Sequence, residues 1–191
     1  MSKRPQDMTS DELEEASYHE LPLSRVKKLA DPFGCWMELK SPITHQEVLD
    51  CLKNNQEQLT DTPLALDAMM DSKGAFDADE ARQKHIQKIA YFVKNGFDDP
   101  IDIDVGVPSM NCYISHMIED GNHRLAAAII RKDKTIKCSI MGEGEYAIEL
   151  GLWNPNEYLN ELVRRYDDDI EQVAQDFDQP EKQSVSRKPS P

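Results

Sequence analysis

The stretch "MIEDGNHRLAAAIIRKDKTIKCSIMG" (residues 117–142) decides the fold. A strand-like run ends at Asp120, and an Ala/Ile-rich helix of about residues 122–131 follows. A second strand, "TIKCSIMG" (135–142), puts Ile136, Cys138 and Ile140 on one face. The helix opens with His123 and Arg124, although a helix N-terminus carries unpaired N–H groups and partial positive charge, and so favours anions. An anion docked there resolves the conflict. Asn122 reads as the N-cap, and Gly121 lets the backbone approach the anion closely. The N–H groups of residues 122–125, the His123 imidazole and the Arg124 guanidinium then converge on a phosphate or carboxylate. Asp120 can orient His123, hold Mg2+ beside a phosphate, or accept a hydroxyl proton. The plainer alternative is an Asp120–Arg124 ion pair around a tight turn, with His123 exposed.

Outward from the turn, "PIDIDVG" (100–106) alternates Ile101, Ile103 and Val105 against Asp102 and Asp104, as a half-exposed strand does. "NCYISHMIED" (111–120) alternates Cys112, Ile114, His116 and Ile118, and the two predict a hairpin through residues 106–111. Asp102 and Asp104 read as an exposed strand face, and His116 as a satisfied core or sheet-face histidine. "DADEARQKHIQKIAYFVKNG" (77–96) is the clearest helix. Asp77 and Glu80 make a capping box, Ile86, Ile89, Ala90 and Val93 the inward stripe, and Gly96 the C-terminal left-handed residue. "SPITHQEVLDCLKNN" (41–55) starts a helix with a Thr44/Glu47 box, an Ile43–Val48 staple and a Val48, Leu49, Leu52 stripe. "ELPLSRVKKL" (20–29) predicts a first strand. Residues 59–74 fit a short helix or a packed loop. "NPNEYLNELVRRYDDDIEQVAQDF" (154–177) predicts a long C-terminal helix with an acidic outer face.

The chain of 191 residues is long enough for one domain, expected over 18–177 with a helical insertion at about 51–80. Residues 1–17 and 178–191 are expected to be flexible tails. Residues 1–17 are polar and acidic and do not read as a signal peptide, and no apolar run reaches a membrane span. Four scattered cysteines without a C-x-x-C pair suit reduced thiols in a cytoplasmic protein. The net charge of −14 argues against duplex DNA over most of the surface. Five of the six charged residues from Arg124 to Lys137 are nevertheless basic, which leaves room for a small anion. The histidines show no metal-ligand spacing.

The segment of residues 85–142 resembles the ParB/sulfiredoxin superfamily. The order is a helix, "HIQKIAYFVKNGFDDPIDIDV", then "YISHMIEDGNHRLAAAII", then "TIKCSIMG", with "LPLSRV" (21–26) matching a first strand. The resemblance implies an α/β (α+β) fold, a small mixed sheet with a strand-GxHR-helix turn, flanking helices and a long C-terminal helix. It implies nucleotide phosphates (ATP, ADP or CTP) on the turn. Gly121, Asn122, His123 and Arg124 would bind, Asp120 and His123 would be catalytic, and Asp120 would hold Mg2+. Members include CTP-hydrolysing DNA-partition clamps, ATP-using sulfiredoxins and ADP-dependent free serine kinases. Sulfiredoxins carry a catalytic cysteine where this chain has Asn122. Partition proteins carry G-E-R-R, a second phosphate motif and a helix-turn-helix, whereas here His123 replaces the first arginine and neither later part follows. The kinase-like turn, D-G-H-H-R, differs only at Asn122. The resemblance therefore implies a nucleotide-binding phosphotransferase or NTP hydrolase. A ParB-like nuclease or DNA-associated protein is one alternative. A non-enzymatic module that grips a protein partner with its acidic C-terminal helix is the other.

Overall fold

Local side-chain chemistry sets several of the helix starts. The computed structural model describes residues 18–36, 39–62, 64, 77–156 and 158–159. Helix α1 (Leu23–Val26) is a single turn directly after strand β1 (His19–Pro22). Helix α2 (His45–Lys53) begins at Thr44, whose hydroxyl accepts from the Glu47 N–H while Glu47 accepts from the Thr44 N–H, so the expected capping box is complete. Val48 and Cys51 face inward, but Leu49 is exposed, so the stripe is rotated from the expected one. Helix α3 (Ala78–Asn95) is capped by Asp77, which accepts from the Asp79 and Glu80 N–H groups. Glu80 does not close a box; it pairs with Lys84 one turn on, at 3.3 Å. Gly96 ends the helix with a positive φ of +77°, but its ψ of −169° is extended, not that of the expected left-handed residue.

Helices α2 and α3 are tied by one guanidinium. Arg82 forms a bidentate pair with Glu47 at 2.8 Å on both oxygens, and it donates to the carbonyls of Ser41 (2.7 Å) and Pro42 (2.9 Å). The Arg82 bonds hold the Glu47 carboxyl down to about 2. Arg82→Ala should cost about 2 kcal/mol in urea unfolding, a figure discounted for partial exposure. Arg82→Lys should recover less than half of it, because an ammonium cannot reproduce the fork. Equal stability of the two variants would contradict this account.

The remaining elements are β2 (Ile101–Asp104), a 3-10 turn (Pro108–Met110), β3 (Ile118–Asp120), α4 (Asn122–Arg131), β4 (Thr135–Met141) and α5 (Gly144–Glu149). The protein is mixed α/β, with a four-stranded mixed sheet in the order β1-β4-β2-β3. β1 and β3 form its edges. β1 runs antiparallel to β4, β4 parallel to β2, and β2 antiparallel to β3. Ile101 lies beside Cys138, Ile103 beside Ile140, and Asp102 opposite Asp120. Ile101, Ile103, Val105, Ile136 and Cys138 are buried, as the alternation predicts. α4 packs on α3 by placing Ala126 and Ala127 among Ile86, Ile89, Ala90 and Phe92.

The expected hairpin is only partly formed. β2 and β3 do pair, but β3 keeps three residues instead of the run from residue 111. Gly106 (φ +73°), the turn at Pro108 and Asn111 in the left-handed region fold the intervening chain back on itself, leaving an isolated Val107–Cys112 bridge. Cys112 is exposed rather than inward. Residues 63 and 65–76 of the expected insertion at 51–80, and the tails 1–17 and 178–191, lie outside the described residues.

The chain divides into two compact units, residues 1–152 and 153–191. In the second, Asn154 caps a helix start by accepting from the Asn156 N–H at 2.9 Å, and the Trp153 and Tyr158 rings pack at 5.1 Å. The expected continuation toward residue 177 lies outside the described residues. Among the described residues, no helix is long and apolar enough to cross a membrane.

Candidate functional site

Gly121 makes the turn between β3 and α4. It has φ +90°, and a Cβ built on it would lie 2.5 Å from Ile101 Cγ2. Only glycine permits both this backbone and this approach to β2. Gly121 is itself the N-cap of α4, and no side chain caps the helix. That corrects the expectation for Asn122, which is the first helical residue. Its side chain turns back to the strand side, with Oδ1 3.0 Å from His116 Nε2 and Nδ2 donating to the Ile118 carbonyl at 3.3 Å. His116, half-buried, is thereby satisfied as expected.

A cavity of about 440 Å3 opens beside the turn. Asp120, Gly121, His123 and Arg124 line it, and Asn122 does not. Helix α3 supplies the facing wall with His85, Lys88 and Phe92, and among the described residues Asp61, Leu64 and Asp99 complete the lining. The volume lies within the usual range for small-molecule sites, about 300–1,000 Å3.

Both alternatives for the turn are partly present. Arg124 Nη2 donates to Asp120 Oδ2 at 2.9 Å, and Nη1 lies 3.9 Å from Asp99 Oδ2, so the ion pair exists. His123, however, is not exposed. Its ring stacks on Trp36 (centroids 5.0 Å) and lies 5.1 Å from the His85 ring, while Trp36 also stacks on His85 at 4.4 Å. His85 Nδ1 and His123 Nε2 are 2.8 Å apart, so one ring donates and the other accepts. Among the described residues the buried Arg124 Nε has no hydrogen-bond partner, an uncommitted donor beside the cavity.

Burial, reinforced by His85, Lys88 and Arg124, pushes the His123 imidazole down to about 3. At neutral pH it therefore offers the cavity a neutral ring, not a second charge. The positive charge comes from Arg124 and from Lys88, which is only 6% exposed. The unfolded chain takes up a proton on this residue near pH 6.5, and the folded chain does not until about 3. Stability should therefore fall as pH drops through that window, by at most about 4–5 kcal/mol. Glu47 adds its own loss only below its ordinary value of 4.5. Urea midpoints at pH steps from 7 to 4.5 should decline for the native chain and less steeply for His123→Gln. Identical slopes would refute the assignment.

Asp102, opposite Asp120, is raised by burial and then by the Asp120 charge, partly offset by Arg124. Of the five basic residues from Arg124 to Lys137, Arg124 alone lines the cavity. Arg131 pairs with Asp133 at 3.3 Å, and Lys137 lies over the Tyr18 ring.

Sequence reading missed Trp36, His85 and Lys88. His85, Lys88 and Phe92 stand at i, i+3 and i+7 on one face of α3, a spacing that predicts a shared wall. Among the described residues, no group of three or more His, Cys, Asp or Glu side chains is arranged to hold a metal. Compared with protein-family models, curated proteins and solved structures, the chain matches none.

Proposed function

We propose that this protein binds a nucleotide by its phosphates in the cavity beside the D-G-N-H-R turn, and that it acts on that phosphate by transfer or hydrolysis. One observation carries the reading. The start of α4, the guanidinium of Arg124 with its uncommitted Nε, and the buried ammonium of Lys88 border one cavity of small-molecule size. A phosphate accepts from all three kinds of donor at once. The neutral His123 and His85 pair adds hydrogen bonding rather than charge, and Trp36 fixes the plane of both rings. In this reading the chain is a ParB/sulfiredoxin-like protein, and its small mixed sheet with a glycine turn into a helix supports that assignment.

Mg2+ is typically held by one or two carboxylates together with phosphate oxygens. Asp120 lines the cavity and would supply one such carboxylate, while Asp102, opposite it across β2 and β3, does not line the cavity. The ion would neutralise charge on the phosphate. Asp120 otherwise serves as the base for an attacking hydroxyl or water.

Calorimetric titration with ATP, ADP and CTP, each with and without Mg2+, tests the proposal. Binding of at least one, lost in Arg124→Ala, is the expected result. Silence with all three overturns it.

A further inference from the structure

Residues 57–62 lie along α3 and reach the cavity. Glu57 pairs with Lys94, and the Gln58 N–H donates to the Gln87 carbonyl at 3.2 Å. At the other end Lys88 holds the Asp61 carboxylate and donates to the Thr62 carbonyl at 2.9 Å. The segment is also knit to itself. Gln58 Nε2 donates to the Thr62 carbonyl at 2.9 Å, and the Thr60 and Thr62 hydroxyls are 2.6 Å apart. Asp61 and Lys88 both line the cavity, but their surroundings differ. The Lys88 side chain is 7% exposed and the Asp61 side chain 42%.

A buried ammonium is costly without a partner. Here the partner is a carboxylate from the chain itself, standing where an incoming anion would stand. We propose that Asp61 is a built-in competitor for the anion on Lys88, and that it thereby selects which anions the cavity admits. The inference rests on the reading of the cavity as a phosphate site.

The selectivity follows from tethering. A linked carboxylate acts at an effective concentration on the order of millimolar or more. A free monocarboxylate makes the same single contact and does not displace it. A polyphosphate reaches Lys88 and Arg124 together, and so gains more than Asp61 loses. Asp61 is already nearly half in water, so its release carries little hydration change. Asp99 and Asp120 remain on Arg124 and do not follow it. Departure of Asp61 removes the ion pair that fastens the cavity end of residues 57–62, while Glu57 and Gln58 keep the other end attached.

Calorimetry with pyrophosphate and with acetate, on the native chain, Asp61→Asn and Asp61→Ala, tests this. Pyrophosphate should bind about tenfold more tightly to both variants. Acetate should become measurable only in them. Amide exchange of residues 57–62 in the native chain should accelerate when pyrophosphate is added. Unchanged or weaker pyrophosphate binding in both variants overturns the proposal, as does exchange that pyrophosphate leaves unaltered. Asp61→Ala also leaves the Lys88 ammonium without its ion pair and should melt lower. Pyrophosphate must then restore more of the melting temperature than it adds to the native chain, and equal gains count against the competitor. Arg124→Ala in each background separates the two readings. Binding lost there, without any gain from Asp61→Asn, keeps the phosphate site and removes the competitor. Binding unaffected by Arg124→Ala removes both.

Discussion

Gly121→Ala should destabilise the protein by about 2–5 kcal/mol. Two independent costs meet at this residue. Its φ of +90° is one that an L side chain adopts at about 1–2 kcal/mol. The new Cβ would also lie 2.5 Å from Ile101 Cγ2, 2.9 Å from its Cβ and 3.1 Å from its Cα. Ile101 is fully buried in β2 and hydrogen-bonded between strands, so it has nowhere to go, and overpacking of this kind adds about 1–3 kcal/mol. The melting temperature should fall on the order of 10 °C. Asparagine tolerates a left-handed backbone but carries the same Cβ, so Gly121→Asn should be about as damaging. Gly151→Asn is the control, because Gly151 ends α5 in a left-handed turn with φ +68° and its nearest neighbour is the flexible tip of Arg25, at 3.7 Å. If Gly121→Asn melts with the native chain, the close approach to Ile101 is not what demands glycine.

The second large effect is on binding. Arg124→Ala should weaken nucleotide affinity by about 30- to 1,000-fold, the range for losing a charge-assisted partner in a desolvated site, about 2–4 kcal/mol. Folding stability should change by less than about 1 kcal/mol, because Asp120 and Asp99 are both largely in water and the substitution also removes the unpartnered buried Nε. That split is the informative part. A residue that only braces the turn would lose stability and leave calorimetric affinity alone. Arg124→Lys should fall between, keeping the charge and losing the planar fork. An affinity for ATP, ADP or CTP that is unmoved by Arg124→Ala would take the phosphate away from this turn.

The parts that sequence reading captured share a physical trait: their cause is local. Thr44 and Glu47 satisfy each other's backbone groups within four residues, so the start of α2 was readable. The strand alternation of Ile101, Ile103 and Val105 needed no partner to be seen, and Gly121 announced a turn wherever the chain went next. The core of the turn, Asp120, Gly121, His123 and Arg124, was found for the same reason, and the structure places all four on one cavity. Asn122 was misplaced by one position, because a glycine in the left-handed region can itself stand as the cap and free the asparagine for His116. The shortened β3 reflects a contest that alternation cannot score, in which Gly106, Pro108 and Asn111 offer the backbone turns in place of ladder bonds. The far wall was invisible for another reason. His85 stands 38 residues before its partner His123, and Lys88 reads as an ordinary surface lysine until α3 is packed against α4. Only the tertiary fold makes a buried cation of it.

The two edges of the sheet carry a consequence for association. β1 offers four residues and closes on Pro22, which has no N–H to donate, and β3 offers three, with Glu119 and Asp120 at its end. A neighbouring chain arriving at either side finds too few open backbone groups to extend the ladder, and at β3 it meets negative charge as well. Among the described residues both edges are thus poor templates for strand addition, so the D-G-N-H-R turn stands beside an edge that is a weak seed for fibres.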